Sequence, residues 1–398
     1  MISKKKKIRK ILLLVEKSRA AGSQFIKGFS RYANIYGPWQ IYSLPPLYLT
    51  KSTIHLSRQT YINWLAQIKK LYLDAVVLRD IYSYDDFQKM GIPILVFREI
   101  VKQIPKAHSL STDSRKISSL ASKYFLARGY KNFMFCGFSG IPWSEERNEY
   151  FIREIEKEGL KVHSFNFSEY NRTIFFDKEL NKLSELIKSL PKPLAVFSCN
   201  DDCSQKVLEA CRNANSRIPE DAAILGVDND ELICNLANPS LSSIVLNFEK
   251  AGFEAAEILD LALNGKLKKF KKIVVEPTEI ATRASTDIIA IDSSDVKEAI
   301  KFIRTHSDQN ITVSDVISAT SVSRRVLEKL FAKELNISIH SLIKQARVSM
   351  ICKMLTETNM TIKEIAYKLN FTDTNHISRY FKSEKGITLT DYRRKYKT

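Results

Sequence analysis

The stretch Met360–Gly386 reads MTIKEIAYKLNFTDTNHISRYFKSEKG, and it repeats an apolar pattern that occurs once before in the chain. The earlier copy starts at Ile311 and reads ITVSDVISATSVSRRVLEKLFAKELN, 49 residues upstream. One residue has been added at the turn of the second copy, since the offset rises there from 49 to 50. The matched apolar pairs are Ile311 with Met360, Val313 with Ile362, Val316 with Ile365, Ile317 with Ala366, Val322 with Phe371, Leu327 with Ile377, Leu330 with Tyr380, Phe331 with Phe381 and Ile337 with Ile387. Two copies of one small folded unit are therefore predicted.

Each copy carries the signals of two short helices joined by a polar turn. Thr361 with Glu364 forms a capping box at the start of the second copy, and Thr312 with Asp315 forms a close variant in the first. After the turn, apolar residues recur at the spacing of one helical face. The sequence therefore predicts two helix-turn-helix units.

The polar residues of the two second helices differ between the copies, and we expect them to face DNA. Arginine, asparagine, threonine and histidine side chains can hydrogen-bond to base edges in a major groove. Two helices with different polar residues would read two different base sequences. The predicted DNA-binding residues are Arg324, Arg325 and Lys329 in the first copy and Thr374, Asn375, His376 and Arg379 in the second.

The segment between the copies, ISIHSLIKQARVSMICKML from Ile337, predicts one continuous helix. About 17 residues of helix would span about 25 Å, which suits two units in successive major grooves about 34 Å apart. The charge agrees with a DNA partner, because the whole chain carries 62 basic and 44 acidic residues, a net charge of +18. The alternative is an all-helical interaction module whose repeat reflects duplication only. The local excess of 19 basic over 12 acidic residues from Asp292 onward weighs against it.

The first two-thirds of the chain alternates short β-branched runs with amphipathic helical stretches. Near-continuous apolar strands with intervening helices predict parallel sheets covered on both faces, and seven such units predict two α/β lobes. The predicted strands are ILLLV from Ile11, WQIYSL from Trp39, DAVVL from Asp74, IPILVF from Ile92, NFMFCG from Asn132, LAVFS from Leu194 and AAILGV from Ala222. We predict a sensor domain over residues 1–284, a linker over 285–294 and a helical DNA-binding domain over 295–398.

Polar side chains follow three of these strands. Asp228 follows AAILGV, Asn200 and Asp201 follow LAVFS, and Trp143 and Arg147 come after NFMFCG. Ligands of such sheets bind beyond the carboxyl ends of the strands. Carboxylates accept hydrogen bonds from sugar hydroxyls, arginine donates them, and an indole covers an apolar sugar face, so these residues predict a sugar pocket.

Each of these residues also has a structural interpretation. Asp201 and Asp228 could be N-caps of the helices that follow them, as Asp113 could be for its own helix. Arg147 could lie on a helix surface and Trp143 in the core. The spacing of the residues does not decide between these interpretations.

The last hundred residues resemble the DNA-binding domain of the AraC family. The match is specific in NFTDTNHISRYFKSEKGITLTDYR, from Asn370, which corresponds to the family signature of the second unit. Two positions depart from that signature, because Asn370 replaces the usual glycine and Leu389 the usual proline. Asparagine tolerates the left-handed conformation better than other residues with a side chain. The resemblance implies sequence-specific binding of double-stranded DNA.

The front part is similar to the sugar-sensing domain of the LacI family, a two-lobed α/β periplasmic-binding-protein-like fold of type I. The match runs through STDSRKISSLASKYFLARGYKNFMFCG from Ser111, IPEDAAILGVDNDEL from Ile218 and NPSLSSI from Asn238. The resemblance implies an effector pocket lined by Arg147, Asp201, Asp228, Trp143 and Gln24. It also implies a transcriptional activator that is a cytoplasmic homodimer, with a sugar as effector and D-xylose as the first choice. RNA polymerase is a candidate further partner.

Other classes of protein find less support in the sequence. These classes are a sugar-active enzyme, an extracytoplasmic sugar-binding protein and a DNA-repair methyltransferase with a helical reader. The chain contains no Walker loop and no GxSxG, HExxH or GxGxxG motif, and its six cysteines form no CxxC pair. The apolar run Ile11–Val15 is shorter than a signal peptide requires. We therefore expect no enzymatic activity, no cofactor and no metal.

Overall fold

The computed structural model describes residues 8–44, 58–79, 83–97, 106–168, 178–267, 269–287, 293–335 and 337–396. The chain divides into two compact units. An α/β unit consists of Met1–Ser122 and Asn132–Asp287, and a helical unit consists of Lys123–Lys131 and Ile288–Thr398. The exact ends of the three predicted segments stay a prediction.

In the described residues, the α/β unit contains twelve strands, nine α-helices and one short 3₁₀ turn at Ala284–Thr286. The strands are β1 (Arg9–Leu14), β2 (Trp39–Leu44), β3 (Ala75–Leu78), β4 (Ile94–Phe97), β5 (His108–Thr112), β6 (Asn132–Phe138), β7 (Val162–Phe167), β8 (Leu194–Ser198), β9 (Ala222–Asp228), β10 (Ser242–Leu246), β11 (Lys272–Val275) and β12 (Pro277–Ala281). The helices are α1 (Ala20–Tyr36), α2 (Arg58–Lys69), α3 (Tyr84–Gln88), α4 (Ser114–Leu126), α5 (Pro142–Glu156), α6 (Lys178–Ser189), α7 (Asp201–Asn213), α8 (Glu231–Leu236) and α9 (Phe248–Leu263).

The strands form two six-stranded sheets, one in each lobe. The first lobe has the order β11-β5-β4-β3-β1-β2, with all its pairs parallel. The second lobe has the order β12-β10-β9-β8-β6-β7, parallel except for the antiparallel pair of β10 and β12. The chain passes between the sheets after β5, after β10 and after β11. The predicted two-lobed α/β fold of the periplasmic-binding-protein type is confirmed.

Apolar burial accounts for these sheets. Every residue of Ile11–Val15 is fully buried, as are the four residues of β3. Each buried isoleucine, leucine or valine side chain among them contributes about 1.5–3 kcal/mol relative to leaving it in water. Helices α1 and α9 cross closely, because Gly28 and Gly252 have no side chains in the contact. A Cβ on Gly28 would lie 1.7 Å from the Glu249 carbonyl oxygen.

All seven predicted strands are present, and five strands were missed. The missed strands are β5, β7, β10, β11 and β12, which lie at the edges of the sheets or next to them. All but β7 have no more than five residues, and the sequences of β5 and β12, HSLST and PTEIA, are also polar, because a strand at or near the edge needs less apolar surface than a central one. Ser285 and Thr286, the first residues of the predicted linker, are buried in the α/β unit.

The helical unit contains seven described helices. They are α10 (Ser294–Thr305), α11 (Val313–Ser318), α12 (Arg324–Leu335), α13 (Ile339–Glu357), α14 (Ile362–Lys368), α15 (Thr374–Lys385) and α16 (Leu389–Tyr396). Two apolar cores hold them, one around Leu327 and Phe331 and the other around Ile377 and Phe381. The repeated apolar positions therefore build two similar cores, and the predicted all-α domain with two helix-turn-helix units is confirmed.

The predicted connecting helix is continuous. Helix α13 has 19 residues, which corresponds to about 28 Å. Arg347 lies in this helix and is buried. Its guanidinium donates to Asn310 Oδ1 at 2.5 Å, ahead of α11, and to the Leu369 carbonyl oxygen at 2.6 Å, at the end of α14. It also lies 4.3 Å from the centre of the Phe371 ring. One side chain thus connects α13 to both units.

The two departures from the AraC-family signature are accommodated locally. Asn370 adopts a left-handed conformation with φ 54°, as its replacement of glycine predicts. Helix α16 begins at Leu389, whose side chain is buried. Thr388 takes over the start of this helix, because its Oγ1 accepts from the Asp391 amide at 3.1 Å and donates to Asp391 Oδ2 at 2.7 Å. The missing proline is therefore replaced by a side-chain cap.

None of the helices in the described residues is long and apolar enough to cross a lipid bilayer.

Replacing Arg347 by alanine should destabilise the helical unit by about 2–4 kcal/mol, because the buried Leu369 carbonyl oxygen, the Asn310 side-chain oxygen and the Phe371 ring lose their cation. Calorimetry of the whole chain would report this as a lower melting temperature of the helical transition. Arg394→Ala is the matched control, since that side chain is 81% exposed, and it should change stability by less than about 0.5 kcal/mol. Equal effects of the two substitutions would contradict this role for Arg347.

Candidate functional sites

Four of the five predicted effector-binding residues lie at one edge of the second lobe. Strands β6, β8 and β9 are adjacent and parallel, so their carboxyl ends meet at that edge. Asp201 opens α7 directly after β8, and Asp228 is the last residue of β9. Trp143 and Arg147 lie one turn apart in α5, which follows β6. Gln24 lies in α1 of the first lobe, and its side chain is half-buried.

Arg147 connects the two lobes at this edge. The side chain is only 2% exposed. Its Nη1 donates to the carbonyl oxygen of Cys199, after β8, and its Nη2 donates to Thr112 Oγ1 at 3.2 Å, at the end of β5 in the first lobe. The guanidinium carbon lies 4.9 Å from the centre of the half-buried Trp143 ring. Arg147 is therefore a buried cation between two sheets, and the interpretation of it as a helix-surface residue is wrong.

Asp201 is a buried hydrogen-bond acceptor with an exposed fraction of 2%. Its Oδ1 accepts from Ser243 Oγ at 2.6 Å, and its Oδ2 accepts from the Asp230 amide at 2.8 Å and from Cys234 Sγ at 3.6 Å. The close packing requires glycine at position 226, because a Cβ there would lie 2.2 Å from Asp201 Oδ1. Asp201 thus holds β10 and the segment after β9 in place.

The segment after β9 has an unusual backbone conformation. Asp228 has φ 104° and Asn229 has φ 50°, both in the positive range that disfavours residues with a side chain. The anchors next to it, the Asn229 amide donating to Ser243 Oγ at 3.0 Å and the Asp230 amide donating to Asp201, keep this conformation in place. Burial, and after it the charge of Asp228, raises the pKa of Asp201 well above its ordinary value. Two carboxyl groups close together are typical of a functional site.

Further contacts join the lobes beside this segment. Asp230 Oδ2 accepts from the Ala20 amide at the start of α1, at 2.9 Å. Arg19, directly before α1, and Asp202 in α7 form an ion pair of 2.9 Å. Gln24 lies one turn further along α1. The start of α1 is therefore attached to the second lobe directly beside Asp228.

Of the three aspartates that could be helix N-caps, only Asp113 is one. Asn200 caps α7 by accepting from the Cys203 amide at 2.9 Å, so Asp201 is not the cap. Asp230, and not Asp228, caps α8. Asp113 caps α4, as predicted, since its Oδ1 accepts from the Lys116 amide at 2.9 Å.

Sequence reasoning missed several residues that build this edge. Thr112, Ser243 and Asp230 had no role in the prediction, although each lies in a stretch that it quoted. The repeated acidic residues of GVDNDEL were a usable signal for Asp230. Thr112 and Ser243 gave no signal, because β5 and β10, which carry them, were not predicted.

Both helix-turn-helix units begin with the predicted capping boxes. The Thr312 side chain accepts from the Asp315 amide, the Thr361 side chain accepts from the Glu364 amide, and each carboxylate accepts from the amide of its threonine. On the second helix of the first unit, α12, the predicted DNA-binding residues Arg324, Arg325 and Lys329 are all exposed. Arg324 pairs with Glu328 at 2.9 Å.

On the second helix of the other unit, α15, Asn375, His376 and Arg379 are exposed and Thr374 is half-buried. Asp373 caps this helix by accepting from the His376 amide at 2.7 Å. The His376 ring is oriented by a contact of 3.1 Å between its Nδ1 and Thr372 Oγ1. The two helices thus present different polar faces.

A fold with two sheets, a buried polar edge between lobes and two helix-turn-helix units is that of a ligand-sensing regulator of transcription. The family comparison agrees in both parts of the chain. Residues 122–286 match the periplasmic binding protein-like domain family, and residues 317–395 match a helix-turn-helix domain family. The chain is a DNA-binding transcription regulator with an AraC-type helix-turn-helix domain and a periplasmic-binding-protein-like domain.

Along its length the chain is similar to xylose operon regulatory proteins. It is 26% identical to that of Haemophilus influenzae, over 96% of this chain and 98% of the relative. It is also 26% identical to that of Escherichia coli K12, over 74% of this chain and 76% of the relative. A solved structure of the xylose-binding transcription activator xylR covers 98% of this chain and 99% of its own, with a TM-score of 0.60 and 23% identity. The relatives are regulators, which does not favour the enzyme alternative.

Replacing Asp201 by asparagine should lower stability less at pH 8 than at pH 5. The pKa of Asp201 is higher in the folded protein than in the unfolded chain, where it is about 4. The Asp201 carboxyl group therefore makes its full contribution to the free energy of unfolding below the unfolded-state pKa. That contribution is lost as the pH rises through the folded-state pKa. Asparagine does not titrate, so the difference in melting temperature from the wild type should narrow as pH rises. Asp221→Asn is the control, because its ion pair with Arg217 lowers the pKa of Asp221. The difference in melting temperature between Asp221→Asn and the wild type should stay constant from pH 5 to pH 8. If the difference for Asp201→Asn is constant as well, the prediction is wrong.

Proposed function

We propose that this regulator is a sugar-responsive activator of transcription, and that its effector is a pentose, with D-xylose as the first choice. The observation that carries the proposal is the buried guanidinium of Arg147, which contacts both lobes at the carboxyl edge of the second sheet. Such an edge is where ligands of two-lobed α/β proteins bind. The names of the similar proteins favour xylose among pentoses.

In the proposed pocket four side chains contact the sugar, and Asp201 supports them. The Asp228 carboxylate accepts hydrogen bonds from hydroxyl groups, and Arg147 donates them. Trp143 covers an apolar face of the ring, and Gln24 reaches the sugar from the first lobe. Asp201 supports the pocket through the Asp230 amide, because its own oxygens already accept hydrogen bonds within the protein.

The proposed response is a change in the balance between two arrangements of the lobes. The pairs Arg147–Thr112, Asp230–Ala20 and Arg19–Asp202 join the lobes beside the proposed pocket. A sugar that contacts both lobes favours the closed arrangement by its differential affinity for the two states. Coupling of this kind typically amounts to about 1–3 kcal/mol.

The proposed reading of DNA uses both second helices on double-stranded promoter half-sites. Arg324, Arg325 and Lys329 act in one major groove, and the residues of α15 act in the next. We propose a cytoplasmic homodimer. Leu232 and Leu236 on α8 support it, because they are 74% and 82% exposed and offer an apolar face of the second lobe to a second copy. We propose RNA polymerase as a further partner.

Asp228→Asn should abolish the response to D-xylose while leaving DNA affinity without sugar nearly unchanged. Asparagine keeps the shape and tolerates the positive φ of position 228, but it removes the charge that binds hydroxyl groups. Titration calorimetry with D-xylose, and with a panel of pentoses and hexoses, measures the loss, which should be at least about 10-fold. Asp221→Asn serves as the control on the same lobe. Normal sugar binding by Asp228→Asn would remove Asp228 from the pocket.

Arg379→Ala and Asn375→Ala should each weaken operator binding by about 1–3 kcal/mol and relax the base preference at one position. Arginine and asparagine make paired hydrogen bonds to guanine and adenine, which alanine cannot make. A mobility-shift titration against operator variants measures both effects. Lys301→Ala on α10, also an exposed basic position, is the control, and it should alter affinity equally for all sequences or not at all. If base preference is unchanged in both α15 variants, the helix does not read bases at these positions.

A further inference from the structure

Arg283 connects the segment after β9 to the end of the α/β unit. Its Nη2 donates to Asn229 Oδ1 at 2.8 Å, and its Nη1 donates to the Leu241 carbonyl oxygen at 2.9 Å. The backbone of Arg283 is also fixed, because its amide donates to Ser242 Oγ at 2.7 Å and its carbonyl oxygen accepts from the same hydroxyl at 2.9 Å. The Arg283 side chain therefore bridges the ends of two loops that precede and follow α8.

The residues directly after Arg283 are anchored to the same strands. Ser285 Oγ donates to the Ile224 carbonyl oxygen of β9 at 2.7 Å, and the Ser242 amide donates to Ser285 Oγ at 2.8 Å. Thr286 Oγ1 donates to Ser242 Oγ at 2.7 Å. Both Ser285 and Thr286 are fully buried. The short 3₁₀ turn Ala284–Thr286 is thus attached to β9, whose final residue is Asp228, and to β10.

Three consecutive residues after β9 have three different partners. Asp228 ends the strand at the proposed pocket, and Asp230 accepts from the Ala20 amide in the first lobe. Asn229 accepts from Arg283, four residues before the end of the α/β unit at Asp287. A change in the backbone of this short segment moves all three side chains together, because the positive φ values of Asp228 and Asn229 leave it few alternative conformations.

We infer that the Asn229–Arg283 pair couples effector binding at the Asp228 segment to the chain exit that leads to the DNA-binding helices. This inference rests on the proposed function as a sugar-responsive regulator. The planar guanidinium suits the task, because its two donors hold Asn229 and the Leu241 carbonyl oxygen in a fixed relation. A shift of Asn229 on sugar binding either pulls Arg283 with it or breaks the hydrogen bond, and both outcomes change the anchoring of Ala284–Thr286. Asn229 and Arg283 are therefore positioning residues of the response.

The test measures coupling separately from sugar affinity, in the full chain, with D-xylose as the probe. Coupling is the ratio of operator affinities with and without D-xylose, about 5-fold or more in the wild type. Asn229→Gly removes the side-chain acceptor but permits the positive φ at this position. Arg283→Lys removes the two guanidinium donors but keeps the positive charge. Both should reduce coupling to less than about 2-fold while D-xylose affinity by calorimetry stays within about 3-fold of the wild type. The double variant should lose no more than either single variant, because the two side chains act as one pair.

Two controls separate coupling from general damage. Asn229→Asp keeps an acceptor for Arg283 and should retain wild-type coupling. Arg217→Ala removes another arginine of the second lobe, one in an exposed ion pair, and should change nothing. Wild-type coupling in Asn229→Gly and Arg283→Lys would overturn the inference. So would a loss of D-xylose affinity in them, since these residues would then belong to the pocket.

A measurement without sugar keeps the inference separate from the identity of the effector. The Ser285 amide donates to the Ser240 carbonyl oxygen at 2.9 Å, and the Thr286 amide donates to the Arg283 carbonyl oxygen at 3.2 Å. Hydrogen exchange at these two amides should be at least about 10-fold faster in Asn229→Gly than in the wild type and Arg217→Ala. Unchanged exchange would overturn the inference even if the wild type binds no D-xylose, a result that by itself counts only against the proposed effector.

Discussion

Both oxygens of the Asp201 carboxylate accept hydrogen bonds inside the protein, from Ser243, the Asp230 amide and Cys234. This buried acceptor holds β10 against the segment that follows β9, and that segment carries Asp228. Without it, a backbone with two consecutive residues at positive φ would relax. The proposed pocket, the contact with α1 and the contact with Arg283 all depend on this one conformation. A buried polar group whose hydrogen bonds are all made fixes the conformation around it as well as stabilising the fold.

A buried cation has the corresponding role in the helical unit. Arg347 donates to Asn310, just before the first helix-turn-helix unit, and to Leu369, at the end of the first helix of the second unit. Its position in α13 therefore fixes both units relative to one helix. The two apolar cores are separate, so burial alone leaves their relative orientation open. Hydrogen bonds with defined directions supply what non-directional apolar contacts cannot. The spacing of two DNA-reading helices thus depends on one guanidinium as well as on the length of α13.

Much of the site was predictable because parallel strands end at one edge. Once LAVFS and AAILGV were recognised as strands, Asp201 and Asp228 had to lie near each other. Their separate roles were not predictable, since a carboxylate after a strand can be a ligand, a cap or an internal acceptor. Arg147 shows the same limit, because its burial depends on Thr112 in the other lobe. Partners that lie in another sheet leave no trace in local spacing.

The sequence by itself determined the two α/β lobes, the duplicated helix-turn-helix units and the capping boxes that start them. Periodicity of apolar residues and capping are local, so they are legible within a few turns of chain. Only the tertiary structure decided that Asp201 anchors the segment after β9 and that Arg283 reaches Asn229. These contacts join residues up to 54 positions apart. Their geometry follows from how strands pair and how lobes pack, which local pattern does not encode.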